Sequence, residues 1–266
     1  MAPNWIGIAA GTLSVIIFFS TYRAGRPLPP GRRTLFTLLA LILAIPGASF
    51  AAYYTHLFPE PAWYYEFRSW AGTEFLILSI GLAGGLLCLG FSSLGRICVL
   101  LLVVALSFGP FLKPILGSLN PNELRDLWHD DVCIQSTAST CGAASVATIL
   151  RHFNLNATEA VLAHEAYSYV GGTEAWYLAR AVRRRGLNAT FQFMPARNPT
   201  VDLALPALAG VRLAGAGHFI PILSFDGEAY VIGDPLVGRQ SLSRSELLNR
   251  YDFTGFFMPI QVPSSH

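Results

Sequence analysis

Four apolar runs, at about 5–22, 34–58, 75–91 and 97–116, constrain this chain more than anything else in it. A helix needs about 20 apolar residues to cross about 30 Å of hydrocarbon, and each run meets or nearly meets that length with no charge at its centre. Lipid offers the backbone no hydrogen-bond partner outside its own helix, so such runs fold as helices in a bundle. The charges support the division: residues 1–120 hold 7 Lys/Arg and 3 Asp/Glu, whereas residues 121–266 hold 11 and 13. The expected organisation is therefore a four-helix transmembrane domain over 1–120 and a second, water-facing domain over 121–266, divided near Asn120-Pro121.

The first run has no basic start, and its arginines follow it, which marks a retained helix rather than a cleaved signal. Arg23, Arg26, Arg32 and Arg33 crowd the first loop and Arg96 lies in the third, while the second carries Arg68 among Glu60, Glu66 and Glu74. Excess arginine marks the cytoplasmic side. An integral, multi-pass inner-membrane protein follows, with the N-terminus and residues 121–266 extracytoplasmic. One helix would suffice as an anchor, so a plain anchor and a bundle that binds an apolar partner both stand. The glycines of Gly81 to Gly85 permit close helix approach in either case.

A net charge of +2 gives no footprint for nucleic acid. The four cysteines, Cys88, Cys98, Cys133 and Cys141, have no zinc-ligand spacing, and no phosphate-cradling glycine loop is present. Neither a metal nor a cofactor is expected.

In the second domain, "CGAASVATILRHF" from Cys141 places Val146, Ile149, Leu150 and Phe153 at helical spacing. Thr158 is expected to cap a second helix reaching Ala166, and Thr173 a third that stops at Gly186. "NATFQFM" and "LPALAGVRL" then read as strands, and "HFIPILSF" and "EAYVIGD" as a hairpin about Asp226-Gly227. Ser243 and Glu246 form a capping box before a short helix, and "FTGFFMPI" closes as a strand. Helices followed by an antiparallel sheet make an α+β domain.

One group of residues carries chemistry. A thiol at the first turn of a helix, Cys141, sits where the helix dipole favours a nucleophilic anion. Gln135, six residues earlier, can aim a side-chain N–H beside it, and with the backbone N–H of Cys141 would form an oxyanion hole. His218 opens one hairpin strand and Asp234 ends the next, so the tight turn can bring imidazole and carboxylate together as base and orienter.

On these four residues, and on "CIQSTASTCGAASVATIL", "GGTEAWYLARAVRRRGL", "GHFIPILSF" and "YVIGDPLVGRQSLSRSELLNRY", the polar part resembles the bacteriocin-processing cysteine peptidases that cut double-glycine leaders. The resemblance spans about 125–260. It implies a papain-like fold without metal, with Cys141 as nucleophile, His218 as general base and acid, Asp234 as orienter and Gln135 as oxyanion donor. The implied host is bacterial. The implied partners are a peptide or membrane-protein substrate, the lipid bilayer, and a peptide exporter or secreted peptide. The leading reading is a membrane-anchored cysteine peptidase. Its rivals are a membrane thiol acyltransferase or amidase using the same thioester chemistry, argued from fold alone, and a non-catalytic papain-like binding module.

Overall fold

In the computed structural model of the chain, residues 3–56, 60–194, 198–199, 202–213 and 215–263 are described. They divide into two compact units. One holds Pro3–Glu60 with Ala71–Leu116; the other holds Pro61–Trp70 with Gly117–His266.

The apolar unit is built on α1 (Trp5–Gly25) and α2 (Pro30–Ala52). Between them and the rest of this unit, the chain visits the other unit through α3 (Ala62–Ser69). It then returns as α4 (Leu78–Leu87), flanked by short 3-10 turns, and α5 (Ser93–Leu116). Four segments, Trp5–Gly25, Pro30–Thr55, Thr73–Gly90 and Ser93–Leu116, are long and apolar enough to cross a membrane. Large apolar side chains such as Ile42, Leu94 and Leu101 stay more than half exposed, as lipid-facing residues would. Inside, Gly81 and Gly85 let α4 lie on α1: a Cβ at Gly81 would stand 1.9 Å from the Ser14 carbonyl oxygen. The Ser14 hydroxyl donates to the Ile77 carbonyl at 3.0 Å, and Ser107 donates to Ser14 at 3.0 Å.

The second unit opens with a small hairpin of β1 (Leu127–His129) and β2 (Val132–Ile134). Three helices follow: α6 (Cys141–His152), α7 (Glu159–Glu165) and α8 (Ala175–Arg183). The remaining strands are β3 (Asn188–Ala189), β4 (Gln192–Phe193), β5 (Ala207–Leu213), β6 (Ala216–Phe225), β7 (Ala229–Asp234), β8 (Gly238–Ser243) and, after α9 (Arg244–Arg250), β9 (Asp252–Gln261). They form an antiparallel sheet in the order β3-β9-β5-β6-β7-β8, with β4 also pairing with β9. This is the α+β arrangement. Alternate residues of β5, β6 and β7 (Ala207, Ala209, Val211; Ile220, Ile222; Tyr230, Ile232) share one buried cluster with Leu247, Tyr251, Phe253 and Phe257. The other face receives α6, whose residues 141–150 are all buried.

Local chemistry explains most element ends. Asp226 accepts the N–H groups of Glu228 and Ala229 and Gly227 takes φ +102°, which turns β6 into β7. Thr158 caps α7 through the Val161 N–H, and Ser243 and Glu246 close their capping box on α9. Thr173 does not cap α8. Glu174 holds the cap position, where its side chain makes no cap hydrogen bond and instead accepts the Tyr169 hydroxyl at 3.1 Å, while the Thr173 hydroxyl is engaged with that of Ser168 at 2.6 Å. The segment "NATFQFM" runs along β9 as two short strands rather than one.

Residues 61–70 were expected to serve only as a loop between two spans, yet they are built into the second unit. Tyr65 is buried with its ring 5.4–5.7 Å from those of Trp176, Phe191, Phe193 and Phe256. The Arg68 guanidinium lies 4.5 Å over the Trp176 ring. Arg183 donates to Glu66 and to the Ser69 hydroxyl, both at 2.6 Å, and Arg180 to the Arg68 carbonyl at 2.8 Å. The arginines of α8 thus do more than complement a helix terminus: they hold a second piece of chain.

Candidate active site

The small residues of "CGAAS" let α6 approach the sheet edge-on. A Cβ at Gly142 would lie 2.9 Å from Leu178 Cδ1 and 3.3 Å from the Phe219 ring. One turn further on, the Ser145 hydroxyl donates to the Phe219 carbonyl at 2.9 Å. That bond ties the helix beginning at Cys141 to the strand residue that follows His218. Thr140, fully buried just before the helix, donates its hydroxyl to the Thr137 carbonyl at 3.1 Å and accepts the Thr137 N–H at 3.2 Å. The loop before Cys141 is thereby folded on itself.

His218 pairs with Val211 on β5, and Asp234 is the last residue of β7. Both are buried, at 8% and 2% exposure. The His218 Nε2 lies 3.1 Å from Asp234 Oδ1, where a ring N–H donates to the carboxylate. Asp234 Oδ1 also accepts the Leu236 N–H at 2.9 Å, and Oδ2 accepts the Tyr251 hydroxyl at 2.8 Å. Burial alone would raise the Asp234 carboxyl, but the donors from His218, Leu236 and Tyr251 hold it below the usual carboxylate range. Burial likewise opposes an imidazolium at His218. Hydrogen bonds to Asp234 and Cys141, with the charges of both, outweigh it and push His218 up to about 9. Since Nε2 serves Asp234, Nδ1 is the ring nitrogen left for Cys141.

Gln135 is joined to the same place through its backbone. Its N–H donates to the Pro235 carbonyl, next to Asp234, at 3.0 Å. One N–H of its side-chain amide is spent on the Thr137 carbonyl at 2.8 Å, and its Oε1 is buried without a partner. The amide has a second N–H. The backbone N–H of Cys141, at the first position of α6, has no carbonyl to serve within its own helix. Cys133 is a packing residue on β2: its N–H donates to Thr148 at 2.9 Å, and burial pushes its thiol up to about 12. Among the described residues no group of His, Cys, Asp and Glu is arranged to hold a metal ion.

Tyr251 was not singled out in the sequence. It lies 17 residues from Asp234, at the end of a helix whose visible signal is its capping box, and only the sheet order brings them together. Glu159, fully buried, was legible only as an acid in the first turn of α7.

The family model of the peptidase C39 family matches residues 130–261. An uncharacterized protein of Methanothermobacter thermautotrophicus is 32% identical over 137 residues, which cover 52% of this chain and 92% of the relative. The chain belongs to the peptidase C39 family. A second uncharacterized relative, from Methanothermobacter marburgensis, is 30% identical over 123 residues, covering 46% of this chain and 84% of its own. Solved structures similar to this C39 domain include two peptidase domains. A double glycine motif protease from an AMS/PCAT transporter, in complex with the leader peptide, is 23% identical with a TM-score of 0.43 and covers 50% of this chain and 91% of its own. The peptidase domain of Streptococcus ComA is 20% identical with a TM-score of 0.43, covering 51% and 100%. Residues 130–261 are thus a C39 cysteine peptidase domain, preceded in the chain by four apolar helices.

Proposed function

We propose that this C39 peptidase is anchored in a membrane by its four apolar helices and cleaves a peptide or protein substrate through a thioester on Cys141. The observation that carries the reading is the buried His218–Asp234 pair, bonded at 3.1 Å, with Cys141 among the causes of the high His218 basicity. A buried imidazole that shares hydrogen bonds with a carboxylate and a thiol is arranged for proton transfer.

In this reading His218 Nδ1 takes the Cys141 proton, and the sulfur adds to the substrate carbonyl. The oxygen that becomes negative is met by the Cys141 N–H and by the second N–H of the Gln135 amide. His218 then gives its proton to the departing amine, the C–N bond breaks, and a thioester remains. Water, deprotonated by His218, hydrolyses the thioester and returns the thiol. Asp234 keeps Nε2 protonated and the ring oriented, while Tyr251 and the Leu236 N–H hold Asp234 in turn.

One feature supports an extracytoplasmic site, and two more support placing residues 61–70 on the same side as the peptidase domain. Arg23, Arg26, Arg32 and Arg33 gather at and beside the first connection between apolar helices, and Arg96 stands in the first turn after the third. The segment Pro61–Trp70 packs in one unit with Gly117–His266, which supports the two lying on one side of a membrane. Two apolar helices, Thr73–Gly90 and Ser93–Leu116, lie between them, and two full crossings fit that placement. The resemblance to leader-processing peptidases supports a peptide substrate with a double-glycine site, handled with an exporter or met after secretion.

The test uses the full chain in lipid nanodiscs with a peptide library that includes double-glycine sequences and an added acceptor amine. Hydrolysis lost in Cys141→Ala and in His218→Ala, with both variants folded, is the expected result. Transfer to the amine in preference to water would move the assignment to an acyltransferase. Turnover retained in Cys141→Ala would end it.

A further inference from the structure

Glu159 is completely buried, and no step above uses it. Its side chain reaches away from α7 to the loop before the nucleophile. Oε1 accepts the Ser136 N–H at 2.8 Å, and Oε2 accepts the Ser136 hydroxyl at 2.5 Å. The same hydroxyl accepts the Arg125 N–H at 2.8 Å, so the N–H and the hydroxyl of Ser136 are both engaged. Ser136 directly follows Gln135, whose own N–H is held by the Pro235 carbonyl at 3.0 Å. Two successive peptide N–H groups are therefore pinned from opposite sides, one to the strand end that bears Asp234 and the other to α7.

Burying a carboxylate is costly unless its oxygens are met by donors. Here the two donors named both come from one residue, the neighbour of Gln135. An acid in the first turn of a helix also suits the helix dipole, but an exposed side chain would supply that without entering the interior. We propose that Glu159 is a positioning residue for catalysis: by clamping Ser136 it fixes the backbone from which the Gln135 amide reaches the developing oxyanion. The proposal rests on the reading of Gln135 as oxyanion donor.

A double-mutant cycle separates the two ideas. Gln135→Ala, Ser136→Ala, Glu159→Gln and Glu159→Ala, with Gln135→Ala combined with each of the others, are compared in the full chain for kcat, KM and melting temperature. A small misplacement of a catalytic donor costs about 10–100-fold, so Ser136→Ala and Glu159→Ala should lower kcat by that factor and leave KM nearly unchanged. Glu159→Gln keeps an acceptor for the Ser136 N–H and should lose less. With Gln135 already replaced, each further change should cost about twofold or less, because the group being positioned is gone. Losses that multiply in full in the Gln135→Ala background overturn the positioning role and leave the oxyanion reading standing. A Gln135→Ala enzyme with normal kcat overturns both. A lower melting temperature with normal kcat in Ser136→Ala and Glu159→Gln reduces Glu159 to a structural residue. If Glu159→Ala does not fold, Ser136→Ala, which removes one arm of the clamp and no buried charge, carries the test.

Discussion

Tyr251→Phe removes one oxygen from the site and nothing else. Tyr251 and Asp234 are each 2% exposed, and the hydroxyl donates to Asp234 Oδ2 at 2.8 Å. The other oxygen, Oδ1, serves both the Leu236 N–H and His218. The variant therefore leaves Oδ2 without that buried donor while the His218 bond stays in place. A hydrogen bond to a charged group contributes about 1.5–3 kcal/mol, and the unfolding free energy of the peptidase unit should fall by that amount at neutral pH. The pH dependence has a definite sign. The native Asp234 carboxyl lies below its ordinary value, partly because of this bond, so its contribution is present above that ordinary value and is lost as acid protonates it. The gap between wild type and Tyr251→Phe should be full at pH 7 and shrink below about pH 4. If the carboxylate also loosens, kcat falls by up to about 100-fold, the same free energy expressed in rate. Chemical denaturation across a pH series, with peptide turnover measured in parallel, reads both. Equal stability at pH 7, or a gap that does not narrow in acid, would refute the claim that this hydroxyl holds the carboxylate.

Other outcomes follow from the same contacts. His218, pushed up to about 9 in the folded protein, should lose its proton there, so kcat/KM should fall above about pH 9; its share of fold stability, complete below the ordinary imidazole value, should fade over the same rise in pH. Asp234→Asn should move that basic limb downward. Tyr65→Ala should destabilise the peptidase unit by about 3–5 kcal/mol in denaturant titrations, since an aromatic ring is lost from a buried cluster. Cys133→Ser should retain turnover within about twofold, because that thiol packs away from the chemistry, whereas a large loss would give Cys133 a part in it.

What could be read from the chain, and what could not, follows the range of the interactions. The four long apolar helices come from continuous apolar runs, and the β6–β7 turn from Asp226-Gly227, both visible in a short window. Cys141 and Asp234 drew attention because each sits at an element end, a helix start and a strand end, whereas His218, expected to open its strand, lies two residues inside β6. Residues 61–70 gave no such signal. "AWYYEFRS" has the aromatic and charged character of a membrane-flanking loop, and its partners, Trp176, Phe191, Phe193, Phe256 and Arg183, lie more than 100 residues away. The Thr173 cap failed for a local reason: propensity favours threonine there, but a bond to Ser168, five residues earlier, engages its hydroxyl. Tyr251 and Glu159 bond to Asp234 and to Ser136 from other elements, and no local pattern distinguishes them from a core tyrosine or a helix-start acid.

The central claim is that Cys141 forms a thioester with the substrate acyl group, assisted by His218. The most direct measurement is rapid quenching of the full chain in nanodiscs with a cleavable peptide, followed by mass spectrometric mapping of the acylated residue. The account predicts an adduct on Cys141 that appears before product, is absent in Cys141→Ala, and forms far more slowly in His218→Ala. Peptide cleaved with no adduct on Cys141, or at an undiminished rate in Cys141→Ala, would contradict it.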